Sequence, residues 1–166
     1  MFVQLTLFLS CLFFQIDDSL YVDSYSIEKG KIILSFFNGR NHDHYSQPYL
    51  ISKDKAGDYF IFDGARYYLN RTATLEQEEL DRIAEYFKGK ANQICYNQTT
   101  PRLILTFLVD EEGNVMLGGG YLDNGCERNF LEVHNYIDLK KIRFSPGKIK
   151  SQNVRSIFTV VLPFNN

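Results

Sequence analysis

The stretch "RLILTFLVDEEGNVMLGGGY", residues 102–121, decides the fold. Residues 102–110 are rich in aliphatic and aromatic side chains over a length typical of a strand. Gly113 and Asn114 follow at a position that favours a tight hairpin turn. The segment "VMLGGGY" predicts a second strand, which we expect to fray at its run of three glycines because glycine weakens a strand interior.

The sequence after this hairpin predicts one helix and one closing strand. Residues 126–141, "CERNFLEVHNYIDLKK", place Phe130, Val133 and Ile137 on one helical face. Residues 155–164, "RSIFTVVLPF", are typical of a strand. Strand, strand, helix and strand predict a small α+β module with an antiparallel sheet.

The sequence before the hairpin predicts strands, a loop and a helix. Residues 31–37, "KIILSFF", favour a strand, and Asp63-Gly64 favours a hairpin between "YFIF" and "ARYYL". Residues 38–49, "NGRNHDHYSQPY", are polar and predict a loop. Residues 74–90 predict a helix. Its apolar face is formed by Leu80, Ile83, Ala84 and Phe87. Thr74 with Gln77 forms a capping box at its start, and Gly89 marks its end.

Composition excludes some classes of protein. The chain has 166 residues, of which 45% are hydrophobic, and a formal net charge of -2. This supplies enough apolar material for a core, and the length favours one domain or two small ones. Because there is no block of basic residues, the sequence does not favour nucleic-acid binding.

The N-terminal residues 1–15, "MFVQLTLFLSCLFFQ", are apolar. A membrane-spanning helix needs about 20 apolar residues, so this run is short for one. We expect residues 1–17 to be a signal peptide or a short apolar anchor, and the protein to be periplasmic or otherwise exported. The alternatives are a buried N-terminal strand and an anchor lying in the membrane interface.

Five motifs in residues 102–164 resemble the C-terminal domain of TonB, the periplasmic energy transducer, and in particular the TonB-C-like domains of exported Bacteroidetes-type proteins. The motifs are "LTFLVDEEGNV", "NGCERNFLEV", "IRFSPGK", "NV" and "FTVVLPF". They stand in the order and at the spacing of that family. The resemblance implies a TonB-C-like domain over residues 96–166, after an unassigned α+β segment over residues 18–95.

In the resembled family the last strand is an exposed sheet edge that recruits an extended peptide of an outer-membrane receptor. The resemblance therefore implies a partner-binding edge formed by Arg155, Ile157, Phe158, Thr159, Val160 and Val161. The alternatives are that this edge is paired with another strand or covered by the N-terminal half. Because no Pro-rich spacer is present, we expect a free-standing module that contacts another envelope protein, rather than an energy transducer.

The segment "FSPGK", residues 144–148, has a glycine and lysine that suggest a phosphate loop. Such a loop needs Ser or Thr after the lysine and an earlier glycine, and isoleucine stands at both positions, Ile149 and Ile142. We therefore expect a structural turn formed by Phe144, Pro146 and Gly147. In this interpretation Phe144 is a core residue, Gly147 has a positive φ and the lysine is solvated.

An alternative function is an enzyme with an unrecognised site between His42 and Tyr45. His42 and His44 would share one face of an extended segment beside Asp43, and His134 is the third histidine of the chain. Their spacing matches no ligand motif for a metal, and no nucleophile elbow is present. We therefore predict no catalytic residue, no metal and no cofactor.

Two cysteines, Cys95 and Cys126, remain if Cys11 leaves with a signal peptide. An even pair in an exported chain favours one disulfide. The alternative is two free, buried thiols. A bridge closing a loop of about thirty residues contributes about 3–4 kcal/mol of stability in the chain-entropy account.

We expect the exported, non-reduced protein to have a mass lower than that of the reduced protein by two hydrogens, because the Cys95–Cys126 bridge replaces two thiols. Intact-mass spectrometry with and without a reductant measures this difference. Two thiols that react with an alkylating reagent before reduction would contradict the bridge.

Overall fold

The structure is a computed structural model that describes residues 20–91, 100–123, 128–136, 138 and 141–164. The predicted N-terminal segment 1–17 and the cysteines Cys95 and Cys126 lie outside these residues. Strands dominate the described chain, and the predicted α+β class is confirmed. The elements in chain order are β1 (Leu20–Glu28), β2 (Lys31–Asn38), β3 (Asp43–Leu50), β4 (Ser52–Lys53), β5 (Asp58–Phe62), β6 (Ala65–Tyr68), α1 (Gln77–Ala91), β7 (Arg102–Val109), β8 (Val115–Asp123), β9 (Arg128–Asn129), α2 (Phe130–Tyr136), β10 (Gly147–Ile149), β11 (Gln152–Val154) and β12 (Ser156–Pro163).

A seven-stranded sheet organises the molecule, with the strand order β4-β5-β6-β12-β7-β8-β9. Its strands come from both sides of the expected boundary at residue 96. A second sheet has the order β1-β2-β3, and β10 and β11 form a separate hairpin. The neighbours of β12 and β8 are antiparallel to them, except that β6 runs parallel to β12.

The two helices cover one face of the seven-stranded sheet. Leu105 and Phe107 of β7 point into this core and meet Ile83 and Phe87 of α1, which are buried as their helical spacing predicts. The expected ends of α1 are wrong. The helix begins at Gln77, since the backbone of Thr74 pairs with Ser145 instead of preceding the first turn as a cap, and it runs through Gly89 to its last residue, Ala91.

The β1-β2-β3 sheet covers the opposite face. Val22 of β1 and Leu34 of β2 are fully buried in a second core that includes Leu108 of β7. The predicted loop over residues 38–49 is wrong, because most of it belongs to β3, which pairs with β2 along its whole length. The polar residues of β3 fit a strand because both faces of β3 are largely exposed, while β2 supplies hydrogen-bond partners for the backbone of β3.

The three glycines of β8 do not fray the strand, contrary to expectation. β8 continues through Gly118–Gly120, which are buried. A Cβ at Gly118 would lie 2.3 Å from the ring of Phe107, and one at Gly119 would lie 2.9 Å from the carbonyl oxygen of Val22. The missing side chains therefore leave room for the ring of Phe107 from the neighbouring strand β7 on one face and for the backbone of β1 on the other.

The segment expected to be a turn is extended instead. Phe144 is buried and its N–H donates to the carbonyl of Gly113 at 2.9 Å, while the backbone of Ser145 pairs with Thr74. Gly147 starts β10 and is not among the described residues with positive φ. A Cβ there would lie 1.9 Å from the carbonyl oxygen of Arg71, so Gly147 serves close backbone approach rather than a turn.

We expect Phe144→Ala to lower the free energy of unfolding by about 3–5 kcal/mol, because the ring fills a core site against Phe107 and Phe158. Lys148→Ala is the matched control, since Lys148 is exposed and its loss should change stability by less than about 0.5 kcal/mol. Urea denaturation followed by circular dichroism measures both. Equal stability of the two variants would place the Phe144 ring outside the core.

Candidate functional site

The strand β12 has one paired side and one largely open side. It pairs with β7 from Ser156, opposite Val109, to Pro163, opposite Arg102. On the other side Ser156 pairs with Tyr68 of β6. In the ranges that the structure describes, no strand pairs with the second side of residues 157–163. We call this side of residues 157–163 the open edge.

The strand register fixes which backbone groups point into the open edge. The N–H of Gly120 in β8 donates to His134 Nε2 at 3.4 Å, so it points away from β7. Its partner Leu105 therefore directs its own N–H and C=O toward β12, where it faces Val160. By alternation, Thr159 and Val161 direct their N–H and C=O groups into the open edge.

A further contact agrees with this assignment. The N–H of Tyr68 donates to the carbonyl of Arg155 at 3.0 Å, so Arg155 points to the same side as Thr159 and Val161. Pro163 occupies the next position in that series. Proline there removes no bond from the ladder with β7, as is usual for proline at a sheet edge.

Apolar side chains flank the open edge on both faces of the sheet. Phe158 is buried against the helices, with Val160 and Leu162 partly buried beside it. On the opposite face Thr159 is exposed, and Val161 is 51% exposed. An added strand would thus find apolar surface on either side of it.

Arg155, expected to be part of the binding edge, is held by an ion pair. Its guanidinium donates to both carboxylate oxygens of Glu111, and this contact lowers the pKa of Glu111. An open depression beside the pair is lined by Asp63, Arg66, Tyr68 and residues 152–155. Arg155 therefore fixes the start of β12 and presents its carbonyl to β6.

A second feature is a buried carboxylate between two histidines, which the sequence did not reveal. Asp23 of β1 is 2% exposed, and neither of its carboxylate oxygens has a hydrogen-bond partner among the described residues. Oδ1 lies 3.5 Å from Nε2 of His134 in α2, and Oδ2 lies 3.6 Å from Nδ1 of His44 in β3. Both distances are at or beyond the limit of a hydrogen bond, and each histidine forms an ion pair with Asp23 only when its imidazole is protonated.

Aromatic rings enclose this cluster, which we call the Asp23 cluster (Asp23, His44 and His134). The ring of Tyr21 stacks on His134 with centroids 3.9 Å apart, and Phe37 packs against both histidines. The ring of His44 meets Phe130 at 4.3 Å. Burial raises the pKa of Asp23, and the charges of His134, His44 and Arg128 oppose that rise.

The rings of His42 and His44 both pack on Phe37, but the prediction that they share one face of an extended segment is wrong. His42 lies in the turn before β3 with φ of 58°, so it does not continue an extended segment with His44. Asp43 is exposed. Within the described residues, no cluster of three or more His, Cys, Asp or Glu side chains can hold a metal ion.

Family models, curated proteins and solved structures were compared with the chain, and none matches it. The described helices include none that is both long and apolar enough to span a bilayer.

We expect Gly119→Ala to lower the free energy of unfolding by about 1–3 kcal/mol, as added atoms in a packed site do. Its Cβ would lie 2.9 Å from the carbonyl oxygen of Val22 and 3.0 Å from His134 Nε2, so β1 or the imidazole must move. Met116→Ala, at a partly exposed position of the same strand, is the control and should cost less. Urea denaturation compares the two; a Gly119→Ala protein as stable as the wild type would show that the layers can separate freely here.

Proposed function

We propose that the protein is a non-catalytic module of the cell envelope that binds an extended segment of another protein along the open edge of β12. The observation that carries this proposal is the outward direction of the N–H and C=O groups of Thr159 and Val161. Adding a strand there satisfies main-chain groups for affinity, and the flanking side chains select the ligand.

The other sheet edges in the described ranges carry features that oppose strand addition. β4 and β9 have two residues each, β10 and β11 have three each, and β1 has a register shift between Val22 and Ser24. The outer strand β3 contains Pro48 and polar residues exposed on both faces. Short length, bulges and proline are common protections of sheet edges. Before Pro163, residues 157–162 of β12 have none of these.

The order of elements supports a TonB-C-like module as part of the proposal. β7, β8, α2 and β12 follow one another as expected from the sequence, and β12 lies beside β7. The proposed partner is another envelope protein, for example an outer-membrane receptor, and the proposed location is the periplasm. The role needs no cofactor, because main-chain hydrogen bonds and apolar contacts supply the binding free energy.

A second candidate is an enzyme that uses His44 as a general base. The imidazole of His44 is half exposed, and its Nδ1 faces the buried carboxylate of Asp23 at 3.6 Å. A carboxylate behind one ring nitrogen can orient a histidine so that the other nitrogen takes a proton from a substrate. Hydrolase screening of the wild type beside His44→Gln and His42→Gln tests this candidate. It requires an activity that His44→Gln alone abolishes.

We expect Thr159→Pro to abolish capture of the partner, because proline removes the outward N–H that an added strand would use. Thr159→Val is the matched control, since it keeps the N–H and removes only the hydroxyl that lies 3.2 Å from Thr106 Oγ1. The measurement is recovery of envelope proteins on immobilised wild type and both variants, after circular dichroism has shown that each is folded.

Hydrogen exchange on the captured complex separates strand addition from contact with another surface. The amides of Thr159 and Val161 should become protected when the partner binds, while those of β3 should not change. Equal recovery of every partner by folded Thr159→Pro, or no gain in protection at these two amides, would rule out the open edge as the binding site.

A further inference from the structure

The Asp23 cluster joins side chains from three separate elements. Asp23 belongs to β1, His44 to β3 and His134 to α2. The imidazole of His134 is 2% exposed and its Nδ1 has no hydrogen-bond partner among the described residues. A buried carboxylate without a hydrogen bond is costly when it is charged. Whether Asp23 carries a proton therefore determines how favourable its contacts with His44 and His134 are.

His134 Nε2 has two competing neighbours. As an acceptor it binds the N–H of Gly120 at 3.4 Å, which requires the nitrogen to be unprotonated. Asp23 Oδ1 lies 3.5 Å from the same nitrogen and attracts it when a proton lies between them. Because one nitrogen cannot donate to Asp23 and accept from Gly120 with the same lone pair, the proton determines which contact is made.

We propose that Asp23 and His134 share a single proton which latches β1 to α2, and that His44 exchanges this proton with water. With the proton present, the pair is neutral overall, as an ion pair or as two uncharged groups. Without it, an uncompensated carboxylate remains in an aromatic surrounding, and the contact between β1 and α2 opens. The step moves one proton through His44 to a water molecule, and no bond between heavy atoms changes.

Charged groups on other elements set the balance of this latch. His134 on α2, His44 on β3 and Arg128 on β9 act on the Asp23 carboxylate, and all three favour its charged form. From β7, the uncharged Thr106 donates its hydroxyl to the backbone carbonyl of Asp23 at 3.2 Å. Burial outweighs the lowering contributions of these three residues, so the pKa of Asp23 is raised.

The sign of the pH dependence follows from that direction. An ordinary aspartate loses its proton at about pH 4 in an unfolded chain. Since the folded protein keeps this proton to a higher pH, the stabilising contribution is complete below about pH 4 and is lost as the pH rises through the folded pKa. The latch is closed on the acid side and opens on the alkaline side.

The first experiment observes Asp23 directly in the wild-type chain by carbon NMR of its carboxyl group between pH 3 and pH 9. We expect its resonance to titrate at a higher pH than the resonances of exposed carboxyl groups. Titration together with the exposed carboxyls would overturn the proposal. This measurement needs no variant and so does not depend on whether a substituted protein folds.

The second experiment measures amide exchange at Gly120, corrected for the intrinsic effect of pH. In the wild type the corrected rate should fall between about pH 4 and the pH at which Asp23 titrates, and level off above it, because loss of the shared proton frees His134 Nε2 to accept the N–H of Gly120. In Asp23→Asn it should not depend on pH, whereas Asp43→Asn, at an exposed position in β3, should behave like the wild type. A wild-type rate without this fall would overturn the latch.

The role of His44 has its own readout. In His44→Gln we expect slow proton exchange at Asp23, seen as separate carboxyl signals near the midpoint in place of one averaged signal. One averaged signal in both proteins would remove His44 from the proton path. None of these outcomes depends on partner binding at β12, so the latch and the proposed function are tested independently.

Discussion

The burial of β7 on both faces is the constraint on which the rest of the structure depends. Every residue from Leu103 to Val109 is buried. A strand of this kind needs a cover on each side and a hydrogen-bonded neighbour along each edge. The helices form one cover and the β1-β2-β3 sheet forms the other, while β12 and β8 supply the two neighbours. The open edge lies on the side of β12 that faces away from β7, and the Asp23 cluster lies where β1 of the covering sheet meets α2.

Thr106 is the polar exception within β7, and it connects the two features. It is fully buried, and its hydroxyl donates to the backbone carbonyl of Asp23 while lying 3.2 Å from the hydroxyl of Thr159. One buried hydroxyl thus contacts β1 on the covering sheet and β12 at its open edge. It donates to a backbone carbonyl at the position where the pairing of β1 with β2 shifts its register.

The sequence predicted local elements better than the layers they form. Asp63-Gly64 forms the expected hairpin turn, with both residues at positive φ, because that turn chemistry is local. The β3 strand was missed because its polar residues are tolerated only once β2 provides hydrogen-bonding partners. The prediction for Gly147 was wrong because a glycine is needed there for the close approach of the Arg71 carbonyl, which is distant in the sequence. The Asp23 cluster was missed because its three members come from three separate elements.

The position of β12 between β6 and β7 also determines how the sheet can assemble. β6 and β7 are both earlier in the chain than β12, yet β12 lies between them in the sheet. Until β12 inserts, the seven-stranded sheet exists as two pieces, β4 to β6 and β7 to β9, and one edge of β7 has no partner. Contacts between residues so far apart in sequence slow folding. A folding intermediate that exposes the apolar edge of β7 is prone to associate with other chains.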